Sequence, residues 1–243
     1  MASNYGKVAI CISGLPRTGV RAFPCFERYF GFLDADVFYH TWKTDDTQIA
    51  QLNEVYTPVQ CQVETPKANM GSFGSMLYSI MMANELKKKH EIEHNFRYDL
   101  VIKTRFDLVF PSIAIFPQFN IFPRTVYTHM GSNGIGHTDM EHHGVNDVMF
   151  WGDSQSMDIA TNTYMYYKHT ALVANAQLVT GFTFDPDDIY FSPGSMIHSR
   201  GIKRNVSFQR YCGYVGAVPW REDVGHLDPL TDYQLIEDRY KQL

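Results

Sequence analysis

The chain has 243 residues, of which 44% are hydrophobic, and this is enough to bury one sizeable core. The formal net charge of -5 argues against a protein that binds nucleic acid through a general excess of positive charge. No run of about 18 apolar residues occurs, so no membrane-spanning helix is predicted.

The first predicted element is a buried strand over residues 7–13, KVAICIS. The turn GLPRTG follows at residues 14–19, and an amphipathic helix is predicted over about 20–32. A strand, a glycine-containing turn and a helix present backbone N–H groups to an anion, and the planar fork of Arg17 suits phosphate. The turn lacks the G-K-[ST] of a Walker A loop and is not G-x-G-x-x-G.

The next elements alternate between strands and helices. They are a strand over 35–40 that leads into Thr41 and Trp42, a short helix over 45–55, a strand over 58–63, a long helix over 69–90 and a strand over 98–110. This β-α alternation predicts an α/β fold with a mainly parallel, Rossmann-like central sheet flanked by helices on both faces.

The stretch over residues 98–110, YDLVIKTRFDLVF, combines an apolar run with charged residues. The run predicts a buried strand, and the charges of Arg105 and Asp107 are expected where that strand leaves the core, because an unpaired buried ion is costly. Ligands of open α/β sheets bind outside the carboxyl ends of the strands. Two interpretations stay open: a site for a phosphate-bearing ligand with a divalent cation, and a structural ion pair at a strand end.

The second half of the chain is less regular. It predicts a strand over 125–130, a strand over 146–152, a helix over 154–168 with Ser154 as its N-cap, a helix start near 186–199 and strands over 203–218. No internal repeat, low-complexity linker or clear domain boundary occurs.

The four cysteines, Cys11, Cys25, Cys61 and Cys212, lie far apart, and none forms a C-x-x-C pair. This spacing favours reduced thiols over a disulfide framework or a zinc site. The N-terminal residues start a strand almost at once and lack the plan of a signal peptide. Together these features predict a cytoplasmic location.

Five segments resemble, in this order, the sequences of nucleotide-sugar glycosyltransferases with the GT-A fold. They are VAICISGLPRTG, DADVFYHTW, YDLVIKTRFDLVF, NDVMFWGDSQSMD and the stretch over 186–204 that ends in RGIKR. Similar sequences occur in viruses, phages and bacteria that decorate polysaccharides or capsids. The resemblance implies one GT-A-like domain over residues 1–243, with a nucleotide-binding half over about 1–110 and an acceptor-side half over about 111–243.

The resemblance also implies transfer of a sugar from a nucleoside diphosphate sugar to a hydroxyl of a glycan acceptor. The nucleotide-binding residues that it implies are Ser13, Gly14, Arg17, Thr41, Trp42, Arg105 and Asp107. Arg105-Phe106-Asp107 takes the place of the D-x-D motif, whose aspartates hold Mn²⁺ or Mg²⁺, so Asp107 is the expected metal ligand. The sequence departs from the motif at Arg105, and an arginine could itself stabilise a leaving diphosphate.

The acceptor side needs a carboxylate if the transfer is inverting, because the acceptor hydroxyl must lose a proton. Asp147, Asp187 and Asp188 are the candidates for this catalytic role. Asp147 precedes a predicted strand, while Asp187 and Asp188 equally suit the first turn of a helix.

Two other functions stay open. GLPRTG also resembles the loop with which sulfotransferases hold a sulfonucleotide, and Arg105 with Ser112 could mimic the later Arg and Ser of that family. A non-catalytic sugar-binding module on a transferase-like scaffold is the second, since a fold alone does not imply activity.

Overall fold

The computed structural model describes residues 5–68, 70–110, 116, 120–129, 148–165, 207–211 and 218–219. Its elements in chain order are β1 (Val8–Ser13), α1 (Gly19–Phe30), β2 (Asp36–Trp42), α2 (Asp46–Tyr56), β3 (Gln60–Glu64), α3 (Gly71–Glu93), β4 (Leu100–Thr104), β5 (Leu108–Val109), β6 (Thr125–His129), β7 (Phe150–Gly152), α4 (Ser154–Thr161), β8 (Ser207–Tyr211) and β9 (Val218–Pro219). Among the described residues, no helix is both long and apolar enough to cross a membrane.

Within the described ranges, seven strands form the main sheet, in the order β3-β2-β1-β4-β7-β6-β8. The four strands β3, β2, β1 and β4 are parallel, β7 runs antiparallel to both of its neighbours, and β8 is parallel to β6. Strands β5 and β9 form a separate antiparallel pair. The prediction of an α/β fold with a mainly parallel central sheet is confirmed.

Strand β1 is buried on both faces, which explains its continuous apolar sequence. Ile10 and Ile12 pack with α1 and α2 in one cluster, whereas Ala9 and Cys11 pack with α3 and α4 in another. Successive side chains of a strand point to opposite faces, so one strand serves both cores. The sheet therefore carries helices on both faces, as the alternation predicts.

The order in which the chain adds strands to the sheet reverses next to β1. Strand β1 is followed by α1 and then β2 on one side, while β3 is followed by α3 and then β4 on the other side of β1. The loops that leave β1 and β3 consequently diverge, and a crevice opens at the carboxyl ends of β1 and β4. This crevice is where the topology places a ligand.

The prediction of one strand through residues 98–110 is wrong. Strand β4 ends at Thr104, Phe106 and Asp107 form a turn, and β5 pairs with β9 outside the main sheet. Phe106 is 1% exposed and its ring meets Tyr39 and Tyr56 edge-on. Burial of this ring under α1 and α2 draws the chain out of the sheet directly after Arg105.

The predicted N-cap of α4 is also wrong by one residue. Asp153 is the N-cap, and its Oδ1 accepts a hydrogen bond from the backbone N–H of Ser156 at 3.0 Å. The hydroxyl of Ser154 donates instead to Glu91 Oε1 at 2.6 Å. The side chain expected to cap the helix is thus used to join α4 to α3.

A buried charge cluster joins these two helices. Lys87 is fully buried, and its Nζ lies 3.1 Å from Glu91 Oε2 and 2.8 Å from Asp158 Oδ1. It also donates to Ser154 Oγ at 2.6 Å. Because all of these partners surround one ammonium group, the cost of burying it is offset only while the whole cluster is intact.

We expect Lys87→Met to lower the free energy of unfolding by about 3–5 kcal/mol, because it leaves Glu91 buried with a diminished set of partners. Urea unfolding followed by circular dichroism measures this change. Lys89→Met on the same helix is the matched control, since Lys89 is 66% exposed and its surface ion pair contributes only about 0–1 kcal/mol. Equal effects of the two substitutions would contradict the structural role of the cluster.

Candidate functional site

A cavity of about 500 Å³ occupies the crevice at the carboxyl ends of β1, β2 and β4. The loop before α3 and the first turns of α3 close its other side. The residues that line it are Ser13, Gly14, Leu15, Arg17, Trp42, Pro66, Lys67, Ala68, Gly71, Ser72, Ser75, Met76, Lys103 and Arg105. The structure thus brings together Ser13, Gly14, Arg17, Trp42 and Arg105, five of the residues that the resemblance implies for a nucleotide.

The lining carries four basic side chains, Arg17, Lys67, Lys103 and Arg105, and the described lining includes no acidic residue. This concentration of positive charge stands out in a chain whose formal net charge is -5. A crevice lined by charges of one sign raises the local concentration of counter-ions. The cavity is therefore suited to an anionic ligand.

Asp107 links the two arginines of the cavity. Its Oδ1 accepts from Arg105 Nε at 2.8 Å, and its Oδ2 accepts from Arg105 Nη2 at 2.7 Å and from Arg17 Nη1 at 2.9 Å. The side chain of Asp107 is 1% exposed, against 31% for Arg17 and 19% for Arg105. Arg17 and Arg105 line the cavity, whereas Asp107 is not among the described lining residues.

The pKa of Asp107 is lowered. Burial acts to raise the pKa, but the charge and hydrogen bonds of Arg105, followed by those of Arg17, outweigh it. Asp107 is therefore ionised at neutral pH, and one carboxylate holds two guanidinium groups in fixed orientations.

The residues present do not fit a cation at Asp107. Both carboxylate oxygens already accept from guanidinium groups, and a divalent ion that reached them would lie next to two positive charges. The described part of the chain also contains no group of three or more His, Cys, Asp or Glu side chains placed to hold a metal ion. The arrangement thus differs from the expected Mn²⁺ or Mg²⁺ site, because Arg105 occupies the first motif position.

The turn that carries Arg17 is conformationally constrained. Arg17 has a φ of 37°, in the left-handed region that non-glycine residues rarely adopt, and its carbonyl accepts from Gln48 Nε2 at 2.7 Å. Gly19 follows in close contact with Phe106, where an added Cβ would lie 2.8 Å from the Phe106 Cβ. The turn is thereby held against the same segment that carries Arg105 and Asp107.

The backbone of Gly14 is already hydrogen bonded within the protein. Its N–H donates to Ser79 Oγ at 2.8 Å and to the His40 carbonyl at 3.3 Å, and its carbonyl accepts from Thr41 Oγ1 at 2.8 Å. Thr41 is fully buried, is not among the described residues that line the cavity, and holds the loop through this hydrogen bond. The first N–H of GLPRTG is thus not available to an anion in the way that a phosphate loop requires, which does not favour the sulfotransferase interpretation. Ser112 lies outside the described residues.

A chain of polar contacts behind the loop was not predicted from the sequence. Ser79 Oγ lies 2.9 Å from His40 Nδ1, and His40 Nε2 lies 3.4 Å from Glu64 Oε1. Glu64 in turn pairs with Lys67 of the cavity lining, at 3.1 Å. The sequence signal for these contacts was weak, a histidine near the end of the strand predicted over 35–40, because Ser79 and Lys67 belong to segments far along the chain.

The aromatic side of the cavity is formed by Trp42. Its ring stacks on Tyr78 at a centroid distance of 5.7 Å, and Lys67 Nζ lies 4.0 Å from the centre of the Tyr78 ring. The Tyr78 hydroxyl donates to Glu64 Oε1 at 2.9 Å. Trp42 is thus fixed by packing; it is 4% exposed and is one of the residues that line the cavity.

A larger cavity, of about 850 Å³, lies at the opposite edge of the sheet, near the amino ends of β1 and β4. Its lining mixes Arg97 with Asp99 and Asp153, so it has no predominant charge. We assign the functional site to the smaller cavity, because ligands of open α/β sheets bind at the carboxyl ends of the strands and because its charge is of one sign. The predicted catalytic residues Asp147, Asp187 and Asp188 lie outside the described residues.

No known family model matches the sequence, and a search of curated proteins finds no match. Solved structures do match the fold. One is a glycosyltransferase involved in glycosylation of the major capsid of PBCV-1, at 7% identity and a TM-score of 0.42, covering 85% of this chain and 82% of that one. Another, from Desulfovibrio desulfuricans G20, is assigned as a nucleotide-diphospho-sugar transferase, at 7% identity and a TM-score of 0.41, covering 96% and 97%.

A third match is the glycosyltransferase GlyE of Streptococcus pneumoniae TIGR4, at 9% identity and a TM-score of 0.39, covering 98% of this chain and 64% of that one. Each of these structures is a distant likeness, and none of them says what this chain binds.

Protonation of His40 gives a test of the contacts behind the loop. Burial lowers the pKa of His40 to about 4 from its ordinary 6.5, against the opposing effect of Glu64. Between these pH values the unfolded chain binds a proton that the folded protein does not. The free energy of unfolding should therefore fall as the pH drops through this window, by up to about 1.4 kcal/mol per pH unit.

Urea unfolding at a series of pH values measures this slope. We expect His40→Asn to flatten it, because asparagine does not titrate and can place a polar group near the position of Nδ1. His94→Asn, which changes an exposed histidine, is the matched control. An unchanged slope in His40→Asn would remove His40 from this pH dependence.

Proposed function

We propose that the protein is a glycosyltransferase that transfers a sugar from a nucleoside diphosphate sugar to a hydroxyl of a glycan acceptor. The observation that carries the proposal is the basic cavity at the carboxyl ends of β1 and β4. The order of the five resembling sequence segments supports it independently.

In this proposal the diphosphate of the donor lies between Arg17, Lys103 and Arg105, which line the cavity. Guanidinium groups form strong, directional hydrogen bonds with phosphate oxygens, and their mutual orientation here is fixed by Asp107. The amino end of α3 adds to the same field, since Gly71, Ser72 and Ser75 line the cavity and the first turn carries no acidic residue.

In the transfer, the bond between the sugar and the donor diphosphate breaks while the acceptor oxygen bonds to the sugar carbon. Negative charge grows on the leaving diphosphate, and fixed positive groups that stabilise it lower the barrier. Arg17 and Arg105 would supply this stabilisation because they are already oriented before the reaction. The acceptor proton must go to a base, for which Asp147, Asp187 and Asp188 are our candidates if the transfer is inverting.

The two halves of the chain have different roles in this proposal. Residues of about 1–110 supply every described residue that lines the cavity. The half over about 111–243 would supply the acceptor side and the base. Trp42 would bound the donor at the edge of the cavity, where its ring is held by Tyr78.

The test is a screen of UDP-, GDP- and dTDP-sugars by thermal shift, followed by measurement of donor hydrolysis without acceptor for each sugar that binds. We expect one nucleotide class to raise the melting temperature and to be hydrolysed slowly. A sulfonucleotide donor is included, and stabilisation by that ligand alone would contradict the proposal. Binding without any hydrolysis or transfer would instead favour a sugar-binding module.

Arg105→Gln tests the role of the basic cavity in turnover. We expect donor turnover per folded molecule to fall roughly 10²-fold, because one stabiliser of the leaving diphosphate is lost. Arg21→Gln, on the exposed surface of α1, is the matched control and should keep turnover. Melting temperatures are measured on both variants, so that a loss of folded protein is not mistaken for a loss of chemistry.

A further inference from the structure

We propose that the cavity binds the diphosphate through its own side-chain cations, with Asp107 as a positioning residue for Arg17 and Arg105 and with no divalent cation held at Asp107. This inference rests on the proposed function for the identity of the anion. The charges in question are those of the described side chains that line the cavity.

Both carboxylate oxygens of Asp107 are already occupied by hydrogen bonds. Its two oxygens accept three hydrogen bonds from two guanidinium groups, at 2.7 to 2.9 Å. The side chain is 1% exposed, so a cation could reach it only by displacing a guanidinium group. That exchange would break charge-assisted hydrogen bonds and bring like charges together.

Glu64 is a second carboxylate near the cavity, and it too already has partners. Glu64 Oε1 accepts from Tyr78 at 2.9 Å and from Gln62 at 2.6 Å, and Glu64 Oε2 pairs with Lys67 at 3.1 Å. Burial acts to raise the pKa of Glu64, but the hydrogen bonds of Lys67 and Tyr78 lower it below its usual value. This carboxylate is ionised but already paired, and it is not part of the described cavity lining.

Asp107 also fixes the orientation of the two guanidinium groups, those of Arg17 and Arg105. Arg105 is held by two parallel hydrogen bonds to Asp107, which fix the plane of its guanidinium group. Arg17 contacts the same carboxylate through Nη1, and its backbone is fixed in a left-handed conformation in the turn after β1. Asp107 thus sets the distance between two phosphate-binding groups without touching the ligand.

Lys103 adds a third charge from the floor of the cavity. It is 2% exposed, its Nζ lies 3.4 Å from the Val148 carbonyl, and it lies 5.6 Å from the centre of the Phe150 ring. Lys103 also lines the cavity. A diphosphate bound there would lie near this ammonium group, and the opposite charges would attract each other.

The primary test uses the wild-type protein and needs no knowledge of the donor. Isothermal titration calorimetry with inorganic pyrophosphate, and separately with UDP, is carried out in EDTA and again in excess MnCl₂. We expect binding in EDTA, with a dissociation constant within about threefold of the value in MnCl₂. Binding that requires Mn²⁺, or no binding of pyrophosphate and UDP in either condition, would overturn the proposal.

Variants then test which cations are used. We expect Arg17→Gln and Lys103→Met each to weaken pyrophosphate binding about tenfold or more in EDTA, the scale of one lost charge-assisted contact. Arg21→Gln and Lys89→Met remove the same charges from exposed positions and should bind like the wild type. Equal affinities of the site variants and the control variants would contradict the role of Arg17 and Lys103 in binding pyrophosphate.

Asp107→Asn tests the positioning role. We expect the variant to bind pyrophosphate more weakly and MnCl₂ to have the same effect on affinity as in the wild type. If Asp107 were a metal ligand, Mn²⁺ would increase the affinity of the wild type, and the variant would lose that increase. Lys87→Met is the control for lower stability, because it weakens a cluster that does not line the cavity and should leave pyrophosphate affinity per folded molecule unchanged. Unchanged affinity in Asp107→Asn would remove its positioning role.

The outcomes separate this inference from the proposed function. Pyrophosphate binding in EDTA without turnover of any nucleotide sugar would support the basic cavity and contradict the glycosyltransferase. Turnover of a nucleotide sugar that depends on Mn²⁺ would support the glycosyltransferase and contradict the inference that the cavity works without a divalent cation.

Discussion

The contact between Arg17, Asp107 and Arg105 is the constraint on which the site depends. Arg17 and Asp107 are 90 residues apart in sequence, yet Arg17 Nη1 lies 2.9 Å from Asp107 Oδ2. The carboxylate is buried and its pKa is lowered, so it can stay ionised only while the guanidinium groups remain in place. The same contact ties the loop after β1 to the turn after β4, and the two walls of the cavity are thereby fixed to each other.

The rest of the structure supports this contact from both faces of the sheet. On one face, Phe106 packs against Tyr56 under α1 and α2, which orients the turn that carries Asp107. On the other face, Ser79 of α3 accepts the N–H of Gly14, which orients the loop that leads to Arg17. A site built in this way has its charges oriented before a ligand arrives, and this is the condition under which electrostatic stabilisation is most effective.

The sequence predicted the elements of the first half well, because their signals are local. The apolar run over residues 7–13 marks β1, and the helical spacing before residue 90 marks α3. The same reasoning failed in extending β4 to residue 110, because an apolar run on both sides of the charged residues cannot show that the chain leaves the sheet after Thr104. That point is set by the burial of Phe106 under helices that are distant in sequence.

The sequence by itself determined the alternation of strands and helices and placed Arg17, Arg105 and Asp107 at element ends, since the period of apolar residues and the cost of buried charge act locally. Only the tertiary structure decided what those charges do. Strand order brought the ends of β1 and β4 together, which made Asp107 the shared hydrogen-bond partner of two arginines. The reason is that a carboxylate's role depends on its nearest charges, and those come from segments that only the folded chain brings into contact.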